Sequence, residues 1–186
     1  MPATNLAAPL EPVPGAPVDA LRSAFRELHG RRLHGFALLL TMGDRVAAAR
    51  LASAALADGA ERVDELRHPE RAAAWLRRRV VEGARRSRTV RPDPQALLDL
   101  GVTERAADAL SALDRLELAV LIASSIERLD RRDVATIVGR NGSTLDRLLF
   151  RARQRFMRTH AASTEGDPPE GPIVTRVRAL ARRAMG

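Results

Sequence analysis

The chain has 186 residues and no cysteine, and its 31 basic side chains outnumber 23 acidic ones for a formal charge of +8. Without cysteine there are no disulfides, thiolate zinc sites or cysteine nucleophiles, and the cationic balance favours a polyanionic partner. Hydrophobic content of 45% suffices for packed helices, whereas 3% aromatics, no tyrosine and no alternating run argue against a β-sandwich. An all-α fold is expected. Every basic residue is arginine, so the choice of arginine over lysine carries no information site by site.

In chain order, residues 1–18 hold Pro2, Pro9, Pro12, Pro14 and Pro17 and read as a disordered tail. A first helical lobe is expected over 19–88. Asp19 is a candidate cap, and Leu21, Phe25, Leu28, Leu33 and Phe36 mark the buried stripe of a long helix. Gly43 breaks that helix and Asp44 can cap a second one, over 44–63. Pro69 suits the first turn of a third helix, with Ala73, Leu76 and Val80 facing inward and Trp75 filling space in the core.

Residues 89–94 are polar and proline-containing and read as a flexible linker. A second lobe is expected over 95–160, with helices near 94–100, 103–110, 114–127, 130–138 and 143–160. Residues 161–186 read as a further linker followed by a basic amphipathic helix, in which Ile173, Val177 and Leu180 oppose Arg176, Arg178, Arg182 and Arg183.

The stretch 130–157 is the most informative. Val134, Ile137 and Val138 share a helical face, and Gly139 supplies a stop. Gly139, Asn141 and Gly142 then permit a tight turn. Ser143 is a candidate cap for a helix with Leu145, Leu148, Leu149 and Phe156 on one face and Arg147, Arg151, Arg155 and Arg158 on the other. Ser143 with Asp146 forms a pattern like a capping box. Two helices at a tight turn, the second rich in arginine, point to a helix-turn-helix that places its second helix in the DNA major groove.

Several runs resemble the extracytoplasmic-function group of the sigma-70 family of RNA polymerase sigma factors. In the second half they are 113–120, then Asp133-Val134-Ala135, Gly139, Ser143-Thr144-Leu145 and Arg151-Ala152-Arg153. In the first half they are 25–38, then Gly43-Asp44-Arg45 with Ala48 and Leu51, then 68–86 with Trp75. Together they cover about a hundred residues in the family's order.

The resemblance implies a transcription initiation factor with promoter DNA and core RNA polymerase as partners, and an anti-sigma factor as a third. The second lobe would read an upstream promoter element through Thr144, Arg147, Arg151 and Arg153, with Arg140, Asn141, Ser143 and Arg155 beside them. The first lobe would touch a downstream element through Arg62, Arg77, Arg78 and Arg79. It would bind polymerase through Asp44, Arg50, Leu51, Ser53 and Asp58.

The chain departs from the family along 44–63, where Ala49, Arg50, Ser53 and Ala54 stand in place of acidic and polar residues, and Leu56 and Ala60 in place of aromatic ones. Two other readings therefore stay open. One is a degenerate sigma-like protein that binds polymerase or an anti-sigma factor without opening DNA. The other is a plain helix-turn-helix regulator. His29, His34, His68 and His160 lack carboxylates at ligand spacing, so no metal or cofactor is expected. No nucleophile–base motif or phosphate loop suggests an enzyme. The N-terminus lacks a signal-like apolar segment and no run reaches membrane-spanning length, so a cytoplasmic protein without a membrane partner is expected.

Overall fold

In the computed structural model, residues 16–66, 68–87 and 90–162 are described, and among them the regular structure is helical throughout, with no strand. The elements are α1 (Ala16–Leu40), α2 (Arg45–Glu61), α3 (Pro69–Arg86), α4 (Pro94–Asp99), α5 (Glu104–Ser111), α6 (Arg115–Leu121), a π-helical turn (Ile122–Ile126), α7 (Arg131–Val138) and α8 (Gly142–Ala162). The all-α expectation holds. The amphipathic segment expected at the C-terminus and most of the N-terminal tail lie outside the described residues. Residues 16–18, expected in the tail, belong to α1.

Local chemistry sets most boundaries. Asp44, Asp93, Thr103, Asp114 and Asp130 each accept a backbone N–H from the first turn of the helix that follows. Asp114 and Glu117 complete a reciprocal capping box. α1 ends where Met42 and Gly43 take positive φ angles of 53° and 87°. Any side chain on Gly43 would run into the carbonyl of Asp93.

The alanines of α2 are packing residues. Ala47, Ala48, Ala52, Ala55 and Ala60 are all buried, and Gly59 lies where an added Cβ would press on Phe25 and Leu76 at 2.9 Å. Small side chains let α2 approach α1 and α3 closely, so this face has no room for bulky aromatics.

Sequence alone set the two halves apart as lobes on a flexible linker, but the structure joins them. One hydrophobic cluster runs from Phe25 and Phe36 in α1 through Leu76 and Val80 in α3 to Ile137, Leu145 and Phe156. α3 packs on α6 and α7. The expected linker is pinned to the α1–α2 turn, where the N–H of Arg91 donates to Asp44 Oδ2 and that of Asp93 to the Met42 carbonyl, each at 2.8 Å. The physical reason is that α3 has two apolar flanks, Leu76 with Val80 and Val81 with Ala84, all buried, and it packs on α1 and α2 as well as on α6 and α7.

A buried ion pair crosses this junction. Arg77 of α3 donates from Nε and Nη2 to the two carboxylate oxygens of Glu127, at 2.6 and 2.8 Å. Its Nη1 donates to the Ala73 carbonyl at 3.0 Å, and its guanidinium lies 5.8 Å from the centre of the Phe36 ring. The two side chains are only 6% and 8% exposed. Arg115 adds a second tie by donating to the carbonyl of Ala84 at the end of α3.

Two outcomes follow. Gly43→Ala should destabilise the fold by about 2 kcal/mol or more, lowering the thermal midpoint by roughly 4–8 °C. Arg77→Ala and Glu127→Ala should each cost about 3–5 kcal/mol, because each strands a buried charge. The double variant Arg77→Met/Glu127→Leu should recover most of that loss in denaturant unfolding, through non-additivity within a shared contact.

Candidate nucleic-acid interface

α7 and α8 meet at a short turn built from backbone geometry. Gly139 ends α7 in the left-handed region at φ 63°, and Gly142 opens α8 at φ 50°. Within the opening turn of α8, the N–H groups of Thr144 and Leu145 are taken by the Asn141 carbonyl at 3.2 Å each. α8 therefore begins one residue earlier than expected, and Ser143 sits inside its first turn rather than capping it.

Asp146 likewise has a partner other than Ser143. Its carboxylate receives two N–H groups from Arg131 of α7, one at 2.9 Å, and Arg131 also donates to the Gly142 carbonyl at 3.3 Å. The hydrogen bond from Arg131 holds the Asp146 carboxyl below its usual range. The pair pins the start of α7 to the start of α8. It also offsets the negative charge that Asp146 would otherwise present to an approaching phosphate.

At 100° per residue, the buried face of α8 holds Leu145, Leu148, Ala152 and Phe156. Ser143, Arg147, Phe150, Gln154 and Met157 project from the opposite face, all exposed. Phe150 is 65% and Met157 52% exposed. Thr144, Arg147, Phe150 and Arg151 line a shallow surface cleft at the N-terminal half of the helix, with Asp146 at its edge. Arg147, Arg151 and Arg153 have no ion pair among the described residues. Arg155 instead bonds the buried carboxylate of Glu117 at 2.7 Å, and Arg140 turns back to the Gly139 carbonyl. Asn141 is exposed beside them.

Phe150 and Gln154 were missed as candidates. Their angular offset from the Leu145–Leu148–Ala152 stripe was available in the sequence, but the arginines of that face are its plainer signal, and its other residues were passed over.

The first-half candidates fare differently. Arg77 is buried with Glu127 and cannot reach DNA, which corrects its assignment to a downstream contact. Arg79 bonds Asp58 at 3.1 Å and Glu82 at 3.2 Å, and Arg78 bonds Glu82 at 2.9 Å. Arg62 is exposed, and its guanidinium lies 5.9 Å from the centre of the Trp75 ring, with that of Arg79 at 5.8 Å. Trp75 is half-buried at the edge of this cleft and not fully in the core. Arg62, Arg78 and Arg79 share the cleft with Asp58, Glu61 and Glu82, so its charges balance.

The proposed polymerase contacts are largely used within the fold. Asp44 caps α2 and receives Arg91, hydrogen bonds that hold its carboxyl low. Leu51 is buried, and Asp58 is paired with Arg79. Arg50 and Ser53 remain exposed, Arg50 bonding the Ser87 hydroxyl at 3.0 Å. Among the described residues no three metal-binding side chains converge, and no helix is long and apolar enough to cross a membrane.

A third cleft lies between α1, α3 and α7, where His29 faces Arg32, Arg77, Glu70 and Asp133. Burial first, then Arg77 and Arg32, holds His29 below its ordinary 6.5. The stabilisation from neutral His29 is therefore complete above about 6.5 and is lost as pH falls through the lower folded value. Asp133 is pushed up by burial, Asp130 and Glu70, so it acts with opposite sign: its contribution is present below 3.8 and fades as pH rises through the raised value. In thermal melts, His29→Gln should flatten the loss of stability seen as the pH is lowered from about 7 toward 5.

No family model, curated protein or solved structure matches the chain.

Proposed function

We propose that the chain is a sigma-like transcription factor whose α7–α8 pair acts as a helix-turn-helix and lays α8 in the major groove of promoter DNA. One observation carries this reading: α8 presents an outward face on which Arg147 and Arg151, with Thr144, Gln154 and Phe150 among them, stay exposed and free of ion pairs among the described residues. Arginine and glutamine are the side chains that bond base edges bidentately, and neighbouring cations hold the helix on phosphates. The net charge of +8 adds long-range attraction.

A second reading, a DNA-binding regulator or interaction protein of sigma-like ancestry that does not open promoters, draws support from α2. Asp44, Leu51 and Asp58 are occupied by capping, packing and pairing, and the Trp75 cleft is electrically balanced. Promoter-dependent run-off transcription with purified core polymerase separates the two. Transcripts that require this chain favour the sigma reading, and DNA binding without transcripts favours the regulator.

Binding to duplex DNA should weaken steeply with salt. Arg147→Ala and Arg151→Ala should each reduce the slope of log affinity against log salt by about one unit. Arg78→Ala should leave it unchanged. A slope near zero for the unaltered chain would refute DNA binding.

A further inference from the structure

We infer that Phe150 makes α8 a reader of pyrimidine 5-methyl groups, so that the preferred site carries thymine at the base opposite this side chain. This rests on the DNA-reading role proposed above and deepens it.

Phe150 is 65% exposed, and Met157 near the end of the same helix 52%, whereas Leu145, Leu148 and Phe156 are buried. It stands at the middle of the outward face, one turn from Arg147 and one from Gln154, and it shares a cleft with Thr144 and Arg151. A phenyl ring has no donor or acceptor, so it can bond neither a phosphate nor the polar atoms of a base edge. What it offers is apolar surface. In the major groove the apolar group on a base-pair edge is the 5-methyl of thymine, and phenylalanine is among the side chains that contact it. Arg147 and Arg151 lie together on one side of the ring around the helix, and their contacts to phosphates or guanine edges would seat α8 in the groove with Phe150 toward the base-pair edges.

The test begins by selecting bound duplexes from a random pool with the full chain. Each thymine of a selected duplex is then replaced by deoxyuridine, which removes only the methyl. At one or two positions the loss should weaken binding about fourfold, the effect of one buried methyl. Replacing cytosine by 5-methylcytosine at the same position of a weaker site should restore a similar factor. Phe150→Ala should abolish the thymine–deoxyuridine difference while keeping the salt slope, and Phe150→Leu should keep part of the difference. Equal affinity for thymine and deoxyuridine duplexes at every position overturns the inference while leaving the DNA-reading role intact. So does a Phe150→Ala variant that stays just as sensitive to deoxyuridine. Absence of any salt-dependent DNA binding by the full chain overturns the underlying reading and the inference with it.

Discussion

The buried pairing of Arg77 with Glu127 is the contact on which the arrangement of both halves depends. Taking two charges out of water is costly, and attraction alone does not recover that cost unless every donor and acceptor is satisfied. Here Arg77 engages both oxygens of Glu127, the Ala73 carbonyl and the face of Phe36. Glu127 reaches it because α6 runs into a π-helical turn, in which the Glu127 N–H bonds back to Ile122. Arg128 then takes a left-handed φ of 55°, and the Leu129 N–H bonds the Ala123 carbonyl. A π-turn adds a residue to the helical register, and this one rotates Glu127 toward α3. The same turn delivers the chain to Asp130 and so sets where α7 starts.

With α7 fixed against α3, the position of α8 follows. Arg131 grips Asp146, Glu117 holds Arg155, and Leu145, Leu148 and Phe156 fill the space left by α5 and α6. Each of these contacts lies on the inner or lateral side of α8. The outward side is thereby left to Arg147, Phe150 and Gln154. A helix anchored on two flanks is a rigid platform, and rigidity favours specific groove reading because less ordering is needed on binding.

The close packing of α2 has a functional consequence. Alanines at buried positions bring three helices together, and the polar residues that remain are used for caps and surface pairs. α2 therefore exposes a short face of Ala49, Arg50, Ser53 and Ala54 with little negative charge. The two halves of the molecule are unequal in electrostatic character: a neutralised cleft beside Trp75, and a cationic face on α8.

Much of the local architecture was legible in the sequence. Apolar residues at three- and four-residue spacing located most of the helices, and Asp44, Asp114, Asp130 and Gly139 marked their ends, because caps and left-handed stops act within four residues of the backbone they satisfy. What the sequence alone did not decide was which of many similar arginines remain available. Arg77 and Arg147 look alike in the chain, yet one meets a carboxylate 50 positions away and the other meets solvent. Asp146 was within capping reach of Ser143 and was drawn instead to Arg131, 15 positions earlier. Phe150 belonged to neither face named for its helix and stands exposed. The joining of the halves was equally hidden, since it depends on α3 carrying a second apolar flank and on a π-turn that has no sequence signature of its own. Hydrogen bonding within one turn determined the helices; packing between distant turns decided the surface that could act.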